Sequence, residues 1–97
     1  MTDPAPRSSP RPAAEPVAVH VLLFSVLREN IGQPALQVDV PHPASVAALL
    51  EILEARYPPV ASYRSVLRVA VNQAYAEEEA PLTAGDEVAL ITPVSGG

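Results

Sequence analysis

The chain has 97 residues, with six Arg, no Lys, eleven Asp plus Glu, twelve Pro and no Cys. That length holds one small domain and excludes a multi-domain enzyme. Without Cys there are no disulfides, thiolate metal sites or Cys nucleophile, and His20 and His42 alone leave little from which to build a metal centre.

The net charge of −5 falls on the part from Val17 onward, where 4 Arg face 9 acids. That sign repels a phosphate backbone and argues against a nucleic-acid partner. No apolar run approaches the roughly 18 residues of a membrane span. Residues 1–16 lack the apolar stretch of a signal peptide. A cytoplasmic domain with no membrane partner is the expectation.

Residues 1–16 contain five of the prolines (Pro4, Pro6, Pro10, Pro12 and Pro16) and nothing large to bury, so they are expected to be a disordered arm. A docking peptide is the alternative. The domain is expected over 17–92 and a flexible tail over 93–97. Some 80 packable residues make a marginal core, which itself suggests a partner surface.

Residues 17–24 (VAVHVLLF) alternate as a strand in which both rows are apolar except for His20, so both faces are expected to be covered. Residues 25–30 (SVLREN) fit a short helical turn ending near Gly32. Residues 35–40 (ALQVDV) alternate with Leu36, Val38 and Val40 inward, an antiparallel neighbour for the first strand.

After the break at Pro41-His42-Pro43, Ser45 has the chemistry of a helix cap. Val46, Leu49, Leu50, Leu53 and Tyr57 follow as one apolar stripe, which Pro58-Pro59 ends. Residues 68–72 (RVAVN) read as a strand, 73–76 as its extension or a short edge strand, and Glu77 to Glu79 as a solvated acidic loop. A turn through Gly85-Asp86 sets up the last strand, 87–91 (EVALI).

The first and last strands are the most apolar and are the expected central pair. The order strand, strand, helix, strand, weak strand, strand predicts an α+β β-grasp (ubiquitin-like) fold, a mixed sheet of four to five strands with one main helix across it. A ferredoxin-like fold would need a second long helix, for which residues 60–67 are too short.

Two of the four glycines, Gly96 and Gly97, are the last two residues, a placement that chance gives in roughly 0.5% of chains at average glycine usage. Glycine threads narrow channels and leaves its carbonyl open to attack. The segment Pro93-Val94-Ser95-Gly96-Gly97 spans roughly 17 Å when extended, at about 3.4 Å per residue. That is enough to enter a partner's active site.

Val21-Leu22-Leu23-Phe24-Ser25-Val26-Leu27-Arg28-Glu29 with Gly32, then Arg68 to Gln73, then Leu82 to Ala89 and Pro93 to Gly97, together resemble the small-subunit family of molybdopterin synthase, ubiquitin-like sulfur carriers. The blocks lie in the family's order over nearly all of residues 19–97. Thr92 departs from the family's frequent second Pro, which would loosen the tail.

The resemblance implies that Gly97, with Gly96 for tail flexibility, is the reacting end. An ATP-using adenylyltransferase of the ubiquitin-activating type would convert the Gly97 carboxylate to an acyl-adenylate. A persulfide sulfur donor would replace AMP, leaving a thiocarboxylate. Inside the synthase large subunit, in a likeness of two copies of each chain, this sulfur would pass to cyclic pyranopterin monophosphate. The chain would be a co-substrate that binds no cofactor tightly and carries only covalent sulfur.

The resemblance also implies partner contacts for Phe24, Arg28, Tyr75, Ile91, Pro93, Val94 and Ser95. On the residues alone, Phe24 and Ile91 are equally readable as core, Tyr75 as an edge-strand aromatic and Arg28 as a surface cation. His20 reads as a packed strand residue and His42 as exposed loop. Carriers of the thiazole or transfer-RNA thiolation pathways, a protein modifier, and a ubiquitin-like binding module with an unactivated tail are the alternatives.

Overall fold

The computed structural model describes residues 15–93. The expected disordered arm, apart from Glu15 and Pro16, and the tail residues Val94, Ser95, Gly96 and Gly97 lie outside the described residues.

The elements run β1 (Val17–Leu23), α1 (Ser25–Ile31), β2 (Ala35–Val40), α2 (Val46–Arg56), α3 (Pro58–Tyr63), a 3₁₀ turn (Arg64–Val66), β3 (Arg68–Val71), β4 (Ala74–Tyr75) and β5 (Glu87–Ile91). They form one mixed sheet in the order β2-β1-β5-β3-β4. β1 and β5 are the parallel central neighbours, and every other pairing is antiparallel. This is the expected β-grasp arrangement, with α2 as its main helix.

The period-2 pattern of β2 sends Leu36, Val38 and Val40 inward, opposite Val21, Val19 and Val17 of β1. These residues meet Leu49, Leu50 and Leu53 of α2 and Val88 and Leu90 of β5 in one apolar core. Burial of each such side chain contributes about 1.5–3 kcal/mol.

The first strand is covered on one face only. Val19, Val21 and Leu23 are buried, whereas His20 is exposed and Ala18 and Leu22 are half-buried. The helices all pack on the inner face, so the apolar outer row of β1 reports a second, solvent-side surface rather than a second layer. His20 sits in that row between Gln37 and Glu87, not packed in an interior. His42 is exposed, as expected.

Ser45 caps α2 by accepting from the Ala48 amide at 3.1 Å. The two preceding amides are taken by the loop after β4: Val46 donates to the Ala80 carbonyl at 3.0 Å and Ala47 to that of Glu78 at 2.9 Å. The acidic loop is therefore a structural brace and not simply solvated. Arg64 fastens it further by pairing with both Glu54 of α2 and Glu78 of the loop.

Pro58 and Pro59 end α2 and also begin α3, occupying its first positions, where a missing N–H costs nothing. Gly32 closes α1 at φ 87°, its amide bonding to the Arg28 carbonyl at 2.9 Å.

The third strand stops at Val71, one residue earlier than expected. Asn72 and Gln73 take φ of 50° and 74° in a two-residue hairpin loop to β4. Asn72 is also a lock: its side-chain oxygen accepts from the Glu87 amide at 3.0 Å while its NH₂ donates to Asp86 at 3.0 Å. Asp86 also accepts from the Thr83 amide at 2.8 Å and hydroxyl at 3.1 Å.

The Thr83 amide first, then the Asn72 side chain, hold the Asp86 carboxyl below its ordinary 3.8. A depressed folded-state value stabilises the fold above the unfolded value and loses that contribution as pH falls through the folded value. Urea unfolding is therefore expected to show Asp86→Asn less stable than the natural chain at neutral pH. The gap should close as pH drops below 3.8.

Candidate functional site: the outer face beside the tail

Because β1 and β5 are parallel, both end at the same edge of the sheet, and β3, antiparallel to β5, begins there. Phe24 leaves β1 at that edge, Ile91 ends β5, and Arg68 opens β3 directly opposite Ile91. The chain continues from Ile91 through Thr92 and Pro93 toward Gly97.

Three of the expected contact residues meet here. Phe24, Tyr75 and Ile91, with Gln73, wall a hollow of about 300 Å³ on the outer face. Its floor is Ala70 and Ala89, which pair across β3 and β5 and leave a dip in the sheet for want of larger side chains.

Neither Phe24 nor Ile91 is core. Phe24 is 42% exposed and Tyr75 75%, and Ile91 is half-buried outside the apolar cluster. Phe24 does not end the first strand but is the N-cap residue of α1. Arg28 lies exposed one turn later, where it makes no ion pair among the described residues.

Exposed large apolar groups are not distributed evenly over this chain. The described residues have three, Phe24, Val66 and Tyr75, and two of these wall the same hollow. An apolar dip of this kind has the shape and lining to take an apolar side chain.

Thr92 does not hang free at the root of the tail: its side chain is buried at 8% exposure. Among the described residues its hydroxyl has no hydrogen-bond partner. Thr92 is thus packed at the sheet end, and Pro93 after it is exposed.

Sequence reasoning missed two parts of the site. Ala70 and Ala89 form its floor, and Gln73 is part of its wall. The signal for the floor was present as two small residues at outward positions of adjacent strands, legible only once the register is known.

No group of three or more metal-ligating side chains occurs among the described residues, and no helix among them is long and apolar enough to cross a membrane.

A profile of the ThiS family matches residues 21–97. The molybdopterin synthase sulfur carrier subunit of Arabidopsis thaliana is 35% identical over 81 residues, covering 84% of each chain. That of Mycobacterium tuberculosis is 35% identical over 82 residues, covering 84% of this chain and 99% of its own. Among solved structures, small archaeal modifier protein 1 of Haloferax volcanii superposes with a TM-score of 0.72 at 30% identity, covering 80% of this chain and 99% of that one. The chain belongs to the ThiS family, alongside the sulfur carrier subunits that it resembles across the whole domain.

Proposed function

We propose that this chain is the sulfur carrier subunit of a molybdopterin synthase, working through its Gly97 carboxylate. The supporting observation is the meeting of Phe24, Tyr75 and Ile91 on one face at the strand end from which the chain runs to Gly96-Gly97. A partner gripping that face holds the root of the tail, so the remaining residues enter the partner's active site as a short tether.

A carboxylate with an ordinary value near 3.5 is ionised at neutral pH and is a poor acyl electrophile. An adenylyltransferase partner joins it to the α-phosphate of ATP, with pyrophosphate leaving, to give an acyl-adenylate. The outer sulfur of a persulfide donor attacks the acyl carbon and AMP leaves. Cleavage of the acyl disulfide by a thiol frees the thiocarboxylate. The loaded tail then donates sulfur to cyclic pyranopterin monophosphate in the large subunit, and the Gly97 carboxylate is restored by water.

This chain's own contribution is positioning. Phe24, Tyr75 and Ile91 dock, Arg28 adds a cation toward the activating enzyme, and Pro93, Val94, Ser95 and Gly96 span the channel. ATP and the acid–base groups belong to the partners.

Intact-mass measurement after incubation with the activating enzyme, ATP and a persulfide donor tests the proposal. The expected product is the chain with one oxygen replaced by sulfur, localised to the C-terminal peptide. No mass change with an active enzyme would reject it. The likeness to a modifier protein supports a second reading in which an amine of another protein takes the place of sulfur. Covalent conjugates in place of the sulfur-bearing chain would select it.

A further inference from the structure

Arg68 stands beside Ile91 on the same face, directly across the β3–β5 ladder, at the edge where the tail leaves. It is exposed, and among the described residues it makes no ion pair; Arg64 alone is paired there, to Glu54 and Glu78. Arg68 also borders a second hollow of about 280 Å³, together with Arg64, Leu67, Tyr75 and Glu77. Glu77 makes no ion pair with Arg68. The two hollows share Tyr75, which stands between an apolar dip and a charged one.

The edge of the sheet remote from the tail bears Asp39, Asp86 and Glu87. The tail edge bears Arg28, with Glu29 next to it, and Arg68, whose hollow also takes in Glu77 and Glu78, the latter already held by Arg64. In a domain with 4 Arg against 9 acids, a guanidinium that has no ion pair among the described residues, beside the exposed Tyr75, is not explained by the fold. An exposed cation at a strand end contributes almost nothing to stability.

We propose that Arg68 is a specificity contact, and that this face fits a protein partner presenting one bulky apolar side chain to the Ala70–Ala89 floor and a carboxylate beyond Tyr75 to Arg68. The inference rests on the proposed carrier function and adds to it the charge of the partner's surface. Arginine suits the contact because its planar fork grips a carboxylate through two parallel hydrogen bonds and its stem lies flat on apolar neighbours such as Ile91. A rim pair of this kind acts mainly on encounter: it raises the association rate and makes it fall with salt.

The test is stopped-flow association of the full chain with the synthase large subunit, at low and at physiological salt. Arg68→Glu is expected to slow association about tenfold at low salt and to abolish or reverse the salt dependence. Arg68→Gln should lie between, and Arg56→Glu, the same change of net charge outside both hollows, should leave the rate nearly unchanged. Melting curves confirm that each variant is folded.

An Arg68→Glu rate within twofold of the natural chain, or one no slower than Arg56→Glu, would overturn the contact while leaving the carrier function standing, because Phe24→Ala would still weaken the complex. Failure of the natural chain to bind the large subunit at all would instead overturn the carrier function, and the contact with it.

Discussion

Deleting Gly97 is expected to abolish adenylation and sulfur loading while leaving the melting temperature unchanged. β5 ends at Ile91, and among the described residues the apolar core contains none beyond Leu90, so the fold is expected not to depend on the terminal glycine. The chemistry does. Measured from a docked domain, removing one tail residue withdraws the carboxylate by about 3.4 Å. A displacement of only ~1 Å at a reacting centre costs roughly a hundredfold in rate.

Adding one residue after Gly97 should be equally damaging, since the activated carboxylate would then belong to a different residue with its own Cβ. ATP–pyrophosphate exchange with the activating enzyme reads the first step, and intact mass reads the second. If the shortened chain exchanges and loads as fast as the natural one, the mechanism through Gly97 is wrong.

Ile91→Asp should cost the complex with the large subunit at least about 2 kcal/mol, or roughly thirtyfold in Kd, measured by titration calorimetry. Ile91 is half-buried in the free chain and walls the hollow whose floor is Ala70 and Ala89. Docking removes its remaining exposure to water, so a carboxylate there is desolvated against apolar groups. The neighbouring Arg68 offers it one internal partner, which limits the loss but also withdraws that guanidinium from the interface.

Ile91→Ala separates the two effects. It removes the apolar contact without adding charge and should lose less affinity. Because Ile91 faces away from the core, both variants should keep a cooperative melting transition. An unchanged Kd in a folded Ile91→Asp chain would place Ile91 outside the interface.

Legibility in the sequence followed the physics of each element. The inward residues of β2 and the stripe of α2 were readable because one face of each is buried and the other is wet, so period alone sorts them. The strand Glu87–Ile91 and the central pairing with Val17–Leu23 were readable from the apolar density of those segments.

The outer row of the first strand misled for the same reason. Ala18 and Leu22 are apolar, and nothing in a single strand distinguishes a face packed by helices from one kept for a partner. Pro58-Pro59 was readable as a stop but not as a start, since the same rigid φ serves both. Phe24, Tyr75 and Ile91 could be named from a resemblance, yet the hollow they wall could not. It depends on Ala70 meeting Ala89, a pairing set by register between segments nearly twenty residues apart.

The place of β5 in the sheet bears on how the chain is made. This strand is the last in chain order and lies in the middle of the sheet, between β1 and β3. β1 pairs with β2 close by in the chain, whereas its other edge is filled only by residues 87–91. The closing contact joins segments about 67 residues apart, the kind of long loop closure that folds slowly. A chain cut short before β5 keeps two unpaired strand edges and an uncovered core, the condition that invites aggregation and degradation. A folded molecule has therefore already added the strand that leads into Pro93, although the fold itself does not sense whether Gly97 follows.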